Sequence, residues 1–292
     1  MALANNSSVV PFGPVIAYPE LLAWFIISTI ICVIGTIAGV ALMSVILKQH
    51  NFRDGTNPLI VQWLGLDCFI LAIPTLLANI EVFRTQIGHP GAINCKPVFF
   101  LQYFPTCVSH WIQVCIALNR CTAVLFPHHF RTCSSRASVG TMSGFCWLLN
   151  IGLSVPFLFG VGATFAQAFP LGSCSLLINN PRVFLIMGSL VTTVPLCLEG
   201  LCYAVVLVGF RCQRQVQPGN SRSDAHRQKR KRKENMISLV LLLCFLWYLV
   251  CYLPQTVISS YMGWYWRTHW SAFNWLRTLF GTAQAGTPVS TK

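Results

Sequence analysis

The chain has 292 residues, of which 54% are hydrophobic and 9% charged, with a formal net charge of +13; a soluble globular domain carries roughly a quarter charged residues. This composition excludes an ordinary water-soluble enzyme or binding module, which needs polar residues spread over its surface. Here the charges sit in a few short segments, so repeated crossing of a lipid bilayer is predicted.

Residues 1–20 form an N-terminal segment in which "NNSS" offers overlapping glycosylation sequons at Asn5 and Asn6. No positively charged segment with a short apolar core precedes a cleavage site, so the first span is expected to direct insertion. A bilayer core needs about 20 mostly apolar residues per helix. Runs that meet this lie at 21–47, 59–80, 97–119, 138–162, 183–210 and 236–259, with a weaker seventh at 270–287 that contains Arg277. They are apolar on all sides rather than alternating, as the strands of a membrane barrel would be. An all-α bundle of seven transmembrane helices over 21–287 is therefore expected. Pro74, Pro105, Pro156, Pro195 and Pro254 each fall inside a span and predict kinks.

Orientation follows from lysine and arginine. With the N-terminus outside, the inner side receives Lys48, Arg53, Arg120, Arg131, Arg136, the basic loop 211–235 and, in the short end 288–292, Lys292. The outer side keeps Arg84, Lys96, Arg182 and Arg267. A basic run can also be a nucleic-acid arm, but between two spans it reads as a cytoplasmic loop beside anionic headgroups. No nucleic-acid partner is expected; a plasma-membrane location is. Most of the fourteen cysteines lie inside spans; only Cys95 and Cys174 fall on the outer side. A bridge between them would tether the loop after the fourth span in an oxidising compartment, the competing reading being two free thiols.

Ionisable groups inside a bilayer are costly and usually face the bundle interior. Asp67 in the second span, Ser109 and His110 in the third, Glu199 in the fifth and Arg277 in the seventh are the candidates. For a lone Ser or His, a hydrogen bond to a neighbouring helix is the simpler role.

These residues carry a resemblance to rhodopsin-like G-protein-coupled receptors over nearly the whole chain. In "TNPLIVQWLGLD", Thr-Asn precedes an aspartate by ten or eleven residues, as in that family's second helix. The resemblance implies that Asp67, with Ser109 eleven residues before Arg120, forms the polar core at which the family binds sodium. Cys95, 25 residues before Arg120, matches the interval from the family's bridging cysteine to its arginine. Trp147 with Pro156 resembles the fourth helix, Pro195 with Tyr203 the fifth, and "CYLP" (Cys251 to Pro254) the sixth. "NRC" (Asn119, Arg120, Cys121) then stands for the family's Asp-Arg-Tyr. Arg120 would hold an inactive state through a partner and later receive a heterotrimeric G protein. Glu234, twenty residues before Pro254, is where the family often has that acidic partner. The competing role for Arg120 is snorkelling to headgroups. Within the family, "ALNRCTAVLFP" is most similar to nematode serpentine chemoreceptors of the gamma-class group.

Departures are equally informative. Gly39 stands near the first-helix asparagine and Tyr252 replaces the sixth-helix tryptophan, while "GTPVSTK" lies roughly where Asn-Pro-x-x-Tyr is expected. Either the chain is truncated or the receptor lacks those parts. Gly35 and Gly39 instead form a small-residue face suited to close helix packing. A ligand, small molecule or peptide, is expected among the outer halves of the helices. By position Glu81, Gln102, Tyr103 and Thr106 are candidates for that pocket; Trp264, Trp266 and Trp270 read as interfacial anchors. No cofactor is expected beyond a possible sodium ion at Asp67, and no catalytic constellation appears. The alternative to a chemosensory signalling receptor is a seven-span transporter or channel using Asp67, Glu199 and Arg277, though it should show internal repeats.

Overall fold

The computed structural model describes residues 16–48, 57–89, 94–126, 130, 134–168, 173–215, 236, 239–240, 242–252, 272, 274–276 and 278–279. Asn5, Asn6, Glu234, Pro254, Trp264, Trp266, Trp270 and Arg277 lie outside them. Helix α1 is Tyr18–Leu47, opened by Pro19 in its first turn, where a missing N–H costs nothing. Helix α2 is the column Asn57–Gln86, and α3 is Cys95–Leu125, capped by the Asn94 side chain, which accepts a hydrogen bond from the Lys96 N–H. Helix α4 is Arg136–Leu158, capped by Ser135. Helix α5 covers 181–215 and is capped by Asn180, with Pro181 in its first turn. Helix α6 is Leu242–Tyr252, and residues 272, 274–276 and 278–279 are also helical.

Two helices run further than their apolar stretches suggest. In α2 the polar residues Glu81, Thr85 and Gln86 are buried, so the helix continues past residue 80 by packing them inside. In α3 the ladder continues beyond residue 119 to Leu125, which places Arg120 within the helix rather than at its end. The prolines act unequally. Pro74 sits in a π turn, Leu71–Thr75, and a second π turn, Ser189–Thr193, immediately precedes Val194 and Pro195; both relieve the clash of a proline ring with the preceding turn. Pro105 lies inside α3, which runs continuously from Cys95 to Leu125. Pro156 falls in the last turn of α4, which ends at Leu158.

Burial along α1 is inverted relative to a soluble protein. Along α1, Ile26, Ile30, Ile34 and Ile37 are exposed, while Ser28, Cys32, Gly35 and Gly39 are buried. In lipid this is the stable arrangement: the apolar face meets acyl chains, and small or polar residues make helix contacts. Helix α3 is the central post, packing against α2, α4 and α5. Leu59 and Trp63 of α2, Val108, Ile112 and Ile116 of α3, Cys146 of α4, Tyr203 of α5 and Phe245 of α6 form one continuous cluster around it. A second cluster joins Leu21 and Trp24 to Val82, with Phe25, Phe83 and Trp275 against it.

The connection between α4 and α5 holds an unforeseen element, an antiparallel hairpin of β1 (Ala163–Ala168) and β2 (Ser173–Ile178) with Gln167 opposite Cys174. Gly160 and Gly162 enter it with φ of 79° and 82°, values that disfavour any side chain. The Gly162 carbonyl accepts hydrogen bonds from the Asn179 and Asn180 N–H groups at 2.9 and 2.8 Å, closing the hairpin against α5. A Cβ at Gly162 would collide with Val183.

Candidate functional site

A file of buried polar side chains, Ser109, His110, Gln113 and Asn119, runs down α3. At its first level the Ser109 hydroxyl donates to Asp67 Oδ1 at 3.0 Å, and both residues are buried. Such a bond compensates part of the cost of an acid at this depth. One residue on, His110 joins α5 to α6. Its Nε2 lies 2.7 Å from the Tyr248 hydroxyl and its Nδ1 3.4 Å from the Val191 carbonyl. A carbonyl only accepts, so Nδ1 carries the hydrogen at the Val191 contact, while the Tyr248 hydroxyl can either donate to Nε2 or accept from it. The sequence explains why Val191 has a carbonyl to offer: Pro195, four residues on, has no N–H to give it. Tyr252 stacks on Tyr248, with ring centroids 5.1 Å apart, and meets His110 edge-on at 5.7 Å. It thus sits at the aromatic junction where the resemblance implied a tryptophan.

Further along, Asn119 is buried and its Oδ1 accepts from the Ser134 hydroxyl at 3.0 Å. Arg120 is half-buried beside it and interacts electrostatically with the Tyr203 phenol. The Tyr203 ring packs against Phe245 at 5.3 Å, so α3, α5 and α6 meet at this level. Two contacts add to the packing: a Cβ on Gly209 of α5 would lie 2.5 Å from Val124 Cγ1 of α3, and the Ser143 hydroxyl of α4 donates to Gln62 Oε1 of α2 at 2.8 Å.

At the opposite end of the bundle, Cys95 and Cys174 form a disulfide with Cα atoms 5.3 Å apart, tying β2 to the first turn of α3. Glu81 is buried beneath the hairpin, where its Oε1 accepts from Gln167 Nε2 at 3.1 Å. The Thr106 hydroxyl donates to the Gln102 carbonyl at 2.7 Å, and Tyr103 packs among Phe99, Phe157 and Phe165. Of the four residues considered for a ligand pocket, Glu81 therefore lies on α2 under the hairpin, and Gln102, Tyr103 and Thr106 line one stretch of α3. The Trp24 indole N–H lies 2.9 Å from the Thr278 hydroxyl and 3.1 Å from the Asn274 carbonyl, docking the last helical residues on α1.

Sequence reasoning missed Gln113 and Tyr248. Gln113 lies three or four residues from both His110 and Ala117, so helical spacing alone put it on the inner face. Tyr248 precedes Tyr252 by one turn, which was the available signal.

The pattern of the "7 transmembrane receptor (rhodopsin family)" matches residues 38–282. The chain belongs to that family. It is a multi-pass membrane receptor of the signal-transducing class, a class without a catalytic step, and family membership disfavours the transporter reading. The receptor is 25% identical over 234 residues to galanin receptor type 2 of Homo sapiens, covering 79% of this chain and 59% of that one. It is 23% identical over 244 residues to galanin receptor 2a of Danio rerio, covering 80% and 62%. It is 29% identical over 199 residues to the D(2) dopamine receptor A of Xenopus laevis, covering 65% and 42%. The receptor thus spans less than two thirds of the length of each of these relatives. Among solved structures, squid rhodopsin superposes with a TM-score of 0.78 at 14% identity, covering 94% of this chain and 82% of that one; this is a likeness of fold.

Proposed function

We propose that the receptor couples an external chemical ligand to a cytoplasmic heterotrimeric G protein, from the plasma membrane and with its N-terminus outside. The observation that carries this reading is the buried column on α3, which links the Asp67–Ser109 hydrogen bond and the His110–Tyr248 contact to Arg120 through one rigid helix. A ligand bound at the hairpin end, near Glu81, Gln102, Tyr103 and Thr106, biases the His110–Tyr248–Tyr252 junction. Because that junction belongs to both α3 and α6, its rearrangement shifts the population toward a state in which α6 leaves Arg120. The cleft so opened takes the G protein, with Arg120 and Tyr203 facing it. Glu234 is the proposed partner of Arg120 in the closed state, sodium the proposed ligand of Asp67, and Asn5 and Asn6 the proposed glycosylation sites.

On the ligand side, the galanin and dopamine receptors among the relatives supply two probes, galanin and dopamine. The likeness of "ALNRCTAVLFP" to nematode chemoreceptors supports a chemosensory reading, for which small environmental molecules are the probes. Nucleotide exchange on a panel of co-reconstituted Gα subunits tests the coupling. The receptor is expected to accelerate exchange on at least one subunit, and Arg120→Ala to abolish that acceleration. Equal acceleration by Arg120→Ala and the unaltered receptor contradicts the role given to Arg120; no acceleration on any subunit, with or without probes, contradicts coupling itself.

A further inference from the structure

Besides Asp67 and Glu81, whose carboxylates accept from Ser109 and Gln167, α5 carries a further buried acid. Glu199 of α5 is 5% exposed, and among the described residues none donates a hydrogen bond to it. It faces two small cavities, of about 20 and about 10 Å³, and Gln113 and Tyr248 line both with it. A water-sized occupant needs roughly 10–15 Å³ of such space, so the pair has room for a few small particles. Tyr203 also lines the larger cavity and Thr192 the smaller one.

The charge balance of this site is unusual. Among the described residues no Lys or Arg lines either cavity, and the one basic side chain there is His110. Arg120 acts on Tyr203, one turn along α5, and lines neither cavity. An unpaired carboxylate in a low-dielectric interior costs several kcal/mol even after relaxation and is neutralised by a proton or by a bound cation; the two adjoining cavities give the cation a place. The donors point to its class. Carboxylate, amide and phenolic oxygens suit a hard ion. A single carboxylate balances one positive charge, and the volume admits nothing larger than a small ion with a water or two.

We propose that Glu199, Gln113 and Tyr248 bind a hydrated sodium ion between α3, α5 and α6, at a site separate from the one proposed at Asp67. The two sites are neighbours: Trp63, which lines the larger cavity, lies one turn from Asp67 on α2. Sodium held there joins three helices through one ion, and it must leave or rehydrate when α6 moves. The inference does not depend on G-protein coupling, because the ion binds the resting receptor.

The test is radiolabelled sodium binding to the full chain in nanodiscs at constant ionic strength, with N-methyl-glucamine chloride as the replacing salt. Asp67→Asn removes the neighbouring carboxylate. That variant is expected to retain one saturable sodium per receptor, and Asp67→Asn with Glu199→Gln to retain none. Gln113→Leu, which keeps every carboxylate, is expected to lower the sodium stoichiometry of the otherwise unaltered receptor by one and so covers the case in which the double variant does not fold. Loss of all sodium binding in Asp67→Asn overturns the proposal. So does unchanged binding in the double variant or in Gln113→Leu, the outcome expected if Glu199 carries only a proton.

Discussion

The hairpin end of the bundle is fastened covalently, whereas the Arg120 end is held by single hydrogen bonds and close surface fit. At the hairpin end the Cys95–Cys174 bridge, the strand pairing of β1 with β2 and the Gln167–Glu81 bond overlap on the same few residues. At the Arg120 end, α3 meets α5 through the Gly209–Val124 approach, α5 meets α6 through the Tyr203–Phe245 ring contact, and Asn119 accepts a hydrogen bond from Ser134. Removing a covalent closure changes the unfolded state as well as the folded one, while a single buried hydrogen bond contributes about 1 kcal/mol. The difference teaches where motion is cheap. A change that begins under the hairpin can rearrange little locally and is relayed along α3 to an end where neighbours separate at small cost.

That contrast can be broken from either side. The largest effect is expected from Cys174→Ser, which opens the 79-residue separation closed by the disulfide and should lower stability by about 2–4 kcal/mol, read as the thermal midpoint of the purified receptor and as surface expression. Ser109→Ala comes next: it leaves Asp67 without its donor at 3.0 Å and should cost about 1–3 kcal/mol, the range for leaving a buried acceptor unsatisfied. Gly209→Ala drives a methyl into Val124 and should cost about 1–3 kcal/mol by overpacking; because the damage falls between α3 and α5, basal nucleotide exchange should rise while the midpoint falls. The smallest effect belongs to Ser134→Ala, which removes the Asn119 bond and should shift stability by about 0.5–1.5 kcal/mol. If Ser134→Ala cost more than Cys174→Ser, the two ends would not differ in the way described.

Much of the architecture was legible because lipid simplifies the code. An uncharged run such as 21–47 has one outcome, a spanning helix, and α1 occupies Tyr18–Leu47. Asp67 and Ser109 were paired only through the resemblance to the receptor family, and they meet at 3.0 Å. The β-hairpin was not legible: "ATFAQA" and "SCSLLI" are short, and their pairing depends on the turn glycines and on the tether at Cys174 rather than on a local period. The ties between Trp24 and Thr278 or between Gln62 and Ser143 join residues 254 and 81 positions apart and leave no sequence signature. His110 read as an isolated polar residue because its partners, a tyrosine and a carbonyl released by a proline, come from two other helices. Glu199 was visible as an intramembrane acid, but the cavities beside it exist only once α3, α5 and α6 are assembled.

The central claim is that helix motion is confined to the Arg120 end. Spin labels carried on non-canonical amino acids at Leu125 and Met236, both exposed, report the separation of α3 from the start of the sixth span; a second pair at Ile87 and Leu177, also exposed, reports the hairpin end. On adding nucleotide-free G protein in nanodiscs, the distance between the first pair should lengthen while that between the second stays fixed. An unchanged first distance in a receptor that still drives nucleotide exchange, or equal movement of both pairs, would contradict the account.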